Sequence, residues 1–211
     1  MSRYRNIVDS DYLSEAAHTV RWCKSIAFMA DSSLAGCRVD GGLDLGDRTP
    51  LTGQMEELLG CRFVNSDVDL DVECLEGSYG VVCALEVLEH LYNPLHLLLE
   101  VRRVLSGADA RMFVSMPLSR PAMLRSPDHF HEMGEAEARA LFGRAGFRVQ
   151  RSTRFRICRP ALRAPSPQTP LPFQPQPQHL EPYQQLRSNS WQAQALRQQY
   201  THRVCSDPKP V

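Results

Sequence analysis

The segment that decides the fold reads YGVVCALEVLEHLYNPLHLLLEVRRVLSGADARMFVSMP, residues 79–117. Its first part, 79–84, is short, apolar and rich in β-branched residues, which is typical of a strand buried on both faces of a parallel sheet. Asn93 and Pro94 can begin a helix, because proline loses nothing at the first helical position, and apolar residues then recur at helical spacing. A second apolar run, 112–116, completes a β-α-β unit with parallel strands.

An acidic turn follows the first of these strands. Ligands of open parallel sheets bind beyond the carboxyl ends of the strands. Leu85 and Glu86 are therefore predicted to line a ligand-binding crevice.

Four short motifs carry a family resemblance. They are LEVLEH at 85–90, NP at 93–94, RVL at 103–105 and SMP at 115–117. Together they resemble class I methyltransferases that depend on S-adenosylmethionine (SAM), in particular the subgroup that includes the ubiquinone-biosynthesis O-methyltransferases. The resemblance spans roughly 42–149. It implies an α/β fold with a Rossmann-like, mostly parallel sheet and flanking helices, SAM as the cofactor, and methyl transfer to an acceptor.

The other predicted elements fit this fold, with one gap. Capping signals and periodicity predict helices at 11–30, 50–59 and 135–145, and strands at 39–45, 61–65 and 147–157. The stretch between Asp67 and Tyr79 is too short for a crossover helix and a further strand. The family sheet usually has seven strands, so this one is predicted to be shortened by about one βα unit.

The chain is predicted to contain one domain and a tail. Residues 1–159 would form the methyltransferase-like domain, with 1–38 as an N-terminal helical segment. In the resembling family such a segment covers the cofactor cleft, although a helix packed on the sheet is an equal alternative. The rest, 160–211, is rich in Pro and Gln and is expected to be largely disordered, with a possible protein partner for its Pro-rich part. No segment of this tail suggests the family's last strand.

Composition limits the function. The formal net charge is +0 and the pI is about 7.0, which argues against nucleic acid as a partner and favours a small-molecule acceptor. The seven cysteines are scattered without a CxxC pair, which indicates free thiols in a reducing compartment rather than a zinc site. No segment approaches the length of a membrane-spanning helix. These features predict a cytoplasmic protein.

The cofactor residues follow from the resemblance. In DLGDRTP, 44–50, Asp44 and Gly46 match the family's acid and first glycine, and they would hold the methionine end of SAM. Arg48 and Pro50 replace the later glycines, so this motif is degraded, although Arg48 could instead pair with the SAM carboxylate.

The ribose and adenine residues follow the next two strands. Asp67 would accept hydrogen bonds from the ribose, with Asp69 as the second choice and a solvated acidic turn as the alternative. Leu85 and Glu86 would lie beside the adenosyl group.

A polar segment follows the last central strand, where acceptors bind in the resembling family. It reads SPDHFHEM, residues 126–133. His129 and His131 could deprotonate an acceptor hydroxyl, or the segment could be a polar lead-in to the next helix. These two imidazoles with Asp128 and Glu132 could also suggest a metal, but no other ligand cluster supports one, and no metal site is predicted.

Two functions remain open at this point. The first is a SAM-dependent methyltransferase acting on an unidentified acceptor. The alternative is a catalytically inactive, methyltransferase-like scaffold or regulatory protein, which the departures at Arg48, Pro50 and Gly80 favour. A different nucleotide in the same crevice is a weaker option, because the chain has no GxGxxG and no P-loop.

Overall fold

We describe the protein from a computed structural model, in residues 16–32, 40–121, 123, 125–158 and 197–206. The chain divides into one compact unit of 1–157 with 198–211 and another of 158–197. The description below concerns the first unit. Most of the predicted tail, 160–196, and the start of the predicted N-terminal segment, 1–15, lie outside the described residues.

The helices in this part of the chain are α1 (Ala16–Ala30), α2 (Pro50–Leu59), α3 (Pro94–Val104) and α4 (Glu135–Arg144), with a 3-10 turn at Leu88–His90. The strands are β1 (Gly42–Asp44), β2 (Phe63–Asn65), β3 (Val81–Leu85), β4 (Arg111–Pro117), β5 (Arg148–Cys158) and β6 (Arg197–Ser206). No helix among the described residues is both long and apolar enough to cross a membrane.

The strands form one sheet in the order β2-β1-β3-β4-β6-β5. β1 pairs in parallel with β2 and β3, and β3 pairs in parallel with β4. Strand β6 is antiparallel to β4. Four parallel strands with flanking helices make the sheet Rossmann-like, as the sequence predicts. The carboxyl ends of β1 to β4 therefore meet at one edge.

The predicted shortening of the sheet is confirmed. Residues 66–78 form turns, and neither a helix nor a strand lies among them. The turns are held against α3 by side chains: the carboxylate of Asp71 accepts the backbone N–H of Asn93 at 2.6 Å, and Glu100 accepts the N–H of Leu75 at 3.0 Å. A compact acidic turn thus replaces one βα unit.

The structure adds one strand that the sequence analysis did not predict. Residues 197–206, assigned above to the tail, form β6 between β4 and β5. Met112 lies opposite Cys205, and Pro117 lies opposite Tyr200. The predicted domain boundary at residue 159 therefore leaves out one strand of the sheet. The segment has no regular alternation of polar and apolar residues, so periodicity did not identify it.

Local signals place the helices where the sequence predicts them. Pro50 occupies the first turn of α2, and Gly60 ends this helix with φ of 64°, in the left-handed region that favours glycine. In α3, the side chain of Asn93 caps the helix by accepting the N–H of His96 at 3.2 Å.

The two faces of the sheet are buried by different helices. Phe28 and Met29 of α1 pack with Leu51 and Met55 of α2 against one face. The apolar sides of α3 and α4 cover the other face, through residues such as Leu98, Val101, Ala138 and Phe142.

Candidate functional site

The first part of the site lies where β1 ends and α2 begins. Asp44 is the last residue of β1 and is 7% exposed. The hydroxyl of Thr52 donates to its Oδ2 at 2.6 Å, and the amide of Asn65, at the end of β2, lies 3.4 Å from the same atom. Burial raises the pKa of Asp44 to about 6 against the opposing effect of these hydrogen bonds. The end of β1, the start of α2 and the end of β2 are thus tied together by one carboxylate.

Gly46 leaves open space beside this carboxylate. Its φ is 113°, a conformation that L side chains rarely adopt, and a Cβ added there would meet no atom within 4 Å. Its N–H donates to Ser66 Oγ at 2.9 Å, and its carbonyl accepts from Asn65 Nδ2 at 3.1 Å. The backbone is therefore held firmly while one side of it stays accessible. This combination permits close approach of a ligand to the backbone.

The Arg48 side chain pairs with a residue of α2. Its guanidinium pairs with Glu56 of α2 at 2.5 Å, and about half of the Arg48 side chain is exposed. Its partner is thus a carboxylate of the protein, whereas the sequence analysis allowed a pairing with the SAM carboxylate.

The acidic turn after β2 contains the predicted ribose residue. Asp67 is exposed and lies two residues beyond the end of β2. The second choice, Asp69, is part of the turn itself: its Oδ1 accepts the N–H of Asp71 at 3.0 Å, and its N–H donates to Glu73 at 2.7 Å. The ribose role of Asp67 stays a prediction.

The second part of the site lies at the ends of β3 and β4. Leu85 closes β3 opposite Ser115. Glu86 follows with φ of 60°, and among the described residues no other non-glycine residue has a positive φ. Ser115 Oγ donates to Glu86 Oε1 at 2.7 Å, and Arg21 Nη1 of α1 lies 3.1 Å from Oε2. Burial raises the pKa of Glu86, against the opposing effect of Arg21. The Glu86 side chain thus contacts both β4 and α1.

Glu89 is the most unusual side chain of the site. It is fully buried in the 3-10 turn, and neither carboxylate oxygen has a hydrogen-bond partner among the described residues. Burial, together with the nearby negative charge of Glu86, raises its pKa well above the ordinary value. A buried carboxyl group without a partner is costly, which makes Glu89 a candidate functional residue.

Two histidines lie beside Glu89. His90 and His129 make an edge-to-face contact, with ring centroids 4.8 Å apart. The backbone brings them together, since the carbonyl of Glu89 accepts the N–H groups of Phe130 at 2.7 Å and His131 at 3.2 Å. The polar segment of the sequence analysis is thereby fixed against the LEVLEH motif.

Buried charges hold the ring of His129. Its Nδ1 lies 2.8 Å from Glu132 Oε1, and Glu132 is also paired with Arg120. Burial opposes ionisation of Glu132, but the hydrogen bonds from Arg120 and His129 outweigh it, so that its pKa lies below the usual range. His131 is separate from this arrangement, because its Nε2 lies 3.3 Å from the carbonyl oxygen of Tyr92. Of the two predicted histidines, His129 belongs to the cluster and His131 supports the loop.

The sequence analysis assigned no role to Glu89 or to Arg21, which both belong to this site. Glu89 lies in the quoted LEVLEH motif, three residues after Glu86 and in the turn that follows a strand. This position is a signal that could have identified it. Arg21 has no such signal, because only the placement of α1 brings it to Glu86.

No family model matches the chain, and no curated protein matches its sequence. Solved structures that match this chain resemble it in backbone fold and share little sequence identity with it. Many of these similar structures are methyltransferases. The mitomycin 7-O-methyltransferase MmcR is 20% identical with a TM-score of 0.44, over 64% of this chain and 50% of its own. The present chain thus spans half the length of that protein.

Two further solved structures are similar to this chain at the same low level of identity. A Burkholderia thailandensis 1,6-didemethyltoxoflavin-N1-methyltransferase, with bound S-adenosylhomocysteine, is 14% identical with a TM-score of 0.49, over 94% of this chain and 82% of its own. The cyclase SpnF is 13% identical with a TM-score of 0.47, over 73% and 67% of the two chains.

Proposed function

We propose that the protein is a SAM-dependent methyltransferase that acts on a small-molecule acceptor. The observation that carries the proposal is the accessible, positive-φ backbone of Gly46 beside the buried carboxylate of Asp44, at the carboxyl edge of a Rossmann-like sheet. These residues fit the methionine end of SAM, because a glycine there allows close backbone approach. Ligands of such sheets bind at this edge.

Each part of the edge has a role in this proposal. Thr52 and Asn65 hold Asp44 in place, and Asp67 accepts hydrogen bonds from the ribose. Leu85 and Glu86 lie beside the adenosyl group. SAM supplies an electrophilic methyl group, and the protein's contribution is to align it with the acceptor atom, which is the main requirement of this reaction. Glu86, held by Arg21 and Ser115, and His129, held by Glu132, border the acceptor side.

Calorimetric titration with SAM and with S-adenosylhomocysteine tests the proposal. We expect micromolar binding of both ligands to the wild-type protein and at least tenfold weaker binding to Asp67→Ala. Asp109→Ala is the matched control, because Asp109 is an exposed acid that precedes β4 and therefore lies at the opposite edge of the sheet. Equal binding to all three proteins would remove Asp67 from the site, and no binding to the wild type would overturn the cofactor assignment.

An inactive scaffold is the second candidate. It is favoured by Pro50, which offers no N–H at the start of α2, and by the acidic turn that replaces one βα unit. The two candidates differ in turnover. A methyltransferase that binds SAM will form S-adenosylhomocysteine in a screen of small hydroxyl- and amine-bearing acceptors, whereas a scaffold will not.

A further inference from the structure

Strand β5 forms one end of the sheet. One of its sides pairs with β6, and the other side has no strand neighbour in the part of the sheet that the structure describes. At 11 residues, β5 is also long for a strand at an edge, where short strands are usual. The unpaired N–H and C=O groups along a long edge can pair with a strand from another chain.

The opposite end of the sheet lacks these properties. There β2 has 3 residues. The N–H of Phe63 in this strand is already occupied, because it donates to Glu56 Oε1 at 3.0 Å. The residues that follow, 66–78, form the acidic turn and do not extend the edge. Addition of a strand is therefore favoured at β5.

One face of β5 is polar and rich in arginine. Its exposed residues recur at alternate positions, and most of the residues between them are half-buried or buried. Because successive side chains point to opposite faces of a strand, the exposed set shares one face. The set consists of Arg148, Gln150, Ser152, Arg154 and Arg156.

The positive charge of this face is only partly balanced. Arg154 pairs with Glu135 of α4, whereas neither Arg148 nor Arg156 has an acidic partner among the described residues. Residues 135–158 contain six arginines and two glutamates, although the formal net charge of the whole chain is +0. This end of the sheet therefore favours an anionic partner.

We propose that β5 is a docking edge for an extended acidic segment of another protein, which adds a strand to the sheet. Backbone hydrogen bonds provide the affinity, and contacts of Asp or Glu side chains with Arg148 and Arg156 provide the selectivity. The acids should recur at alternate positions of the partner, about 7 Å apart, to share the face of the arginines. A peptide suits this edge better than a nucleic acid, because phosphates only accept hydrogen bonds and would leave the C=O groups of β5 unpaired.

Fluorescence anisotropy tests the edge, with a short labelled peptide of alternating Glu and Val titrated with the full chain. We expect micromolar binding that weakens as salt is added. The double variant Arg148→Gln/Arg156→Gln should bind about tenfold more weakly, because each exposed ion pair contributes little on its own. Arg62→Gln is the matched control and should bind like the wild type. The Arg62 side chain is 95% exposed and directly precedes β2, at the other end of the sheet.

Two modified peptides separate strand pairing from attraction between charges. The same peptide with its central amides N-methylated keeps its carboxylates but loses the donors that pair with β5. Its binding should be at least about tenfold weaker, because several hydrogen bonds are lost together. A peptide of alternating Lys and Val should not bind, since its charge has the same sign as that of the arginines.

Three results would overturn the proposal. The first is an acidic peptide that does not bind, which would leave the arginines with the role of protecting an edge from association. The second is equal binding of the methylated peptide or equal binding to the double variant. The third is tighter binding of single-stranded oligo(U) than of the acidic peptide, which would favour a nucleic acid. No measurement here uses SAM, so these results and those on the proposed methyl transfer are independent.

Discussion

The guanidinium of Arg21 lies 3.1 Å from a carboxylate oxygen of Glu86, and both side chains are more than nine-tenths buried. Arg21 lies in α1, whereas Glu86 directly follows β3 at the carboxyl edge of the sheet. The first described helix is therefore linked directly to the proposed acceptor site. It packs on the sheet through Phe28 and Met29, as the second alternative of the sequence analysis has it, and it also contributes Arg21 to this site.

Arg21→Met should lower the free energy of unfolding by about 3 to 5 kcal/mol, because it leaves a buried carboxylate without its counter-charge. Urea unfolding at neutral pH measures this loss. In a Glu86→Gln background the same Arg21→Met change should lower the free energy of unfolding much less, since the negative charge of Glu86 is already removed. An equal loss in both backgrounds would show that the pair is not coupled.

Asp44→Asn should stabilise the protein at neutral pH. The pKa of Asp44 is raised to about 6 in the folded state, from 3.8, so the folded state binds more protons than the unfolded state between these values. The contribution of Asp44 to stability therefore falls as the pH rises from about 4 to 6 and stays low above that range. The whole loss in the contribution of Asp44 to the free energy of unfolding is about 3 kcal/mol. We therefore expect the free energy of unfolding of Asp44→Asn to exceed that of the wild type by a margin that grows from about pH 4 to pH 6. A margin that is independent of pH would contradict the prediction.

Gly46→Ala should be destabilising by about 1 to 3 kcal/mol, because φ of 113° strains an L residue even where space is open. SAM binding should weaken in parallel. Gly53→Ala is the matched control, since Gly53 lies in α2 without a positive φ and its added Cβ also meets no atom within 4 Å. It should stabilise the protein by up to about 1 kcal/mol. Thermal unfolding of both variants measures the backbone strain at Gly46. Calorimetric titration measures how the added methyl group crowds SAM.

Arg48→Gly tests whether the degraded glycine motif limits cofactor binding. The Arg48 side chain pairs with Glu56 and is half exposed, so its removal should change the SAM dissociation constant by no more than about twofold. Calorimetric titration of the variant beside the wild type gives the comparison. A gain of tenfold or more would show that Arg48 obstructs the site and that restoring glycine repairs the motif.

The sequence was most informative about elements whose local signals agree. Thr49, Pro50 and Gly60 fix the limits of α2, and Asn93 with Pro94 fixes the start of α3. The missing βα unit was predictable as well, because chain length alone excludes a crossover between Asp67 and Tyr79.

Contacts between distant segments were not predictable in this way. The pairing of Arg21 with Glu86 and the packing of His90 against His129 depend on how separate elements meet in space, which no single segment encodes. Strand β6 was missed for a related reason. Its residues have no strong periodicity of their own, and their pairing partner, β4, lies far away in the sequence.

The position of β6 has a consequence for how the protein reaches its folded state. Residue 205 pairs with residue 112, so β5 is joined to the rest of the sheet only after residues 197–206 have left the ribosome. Until then the facing edges of β4 and β5 present unpaired backbone groups, which are sites of association between chains. Long-range pairing of this kind is slow. Synthesis of this protein should therefore pass through an aggregation-prone stage that ends when β6 has been added to the sheet.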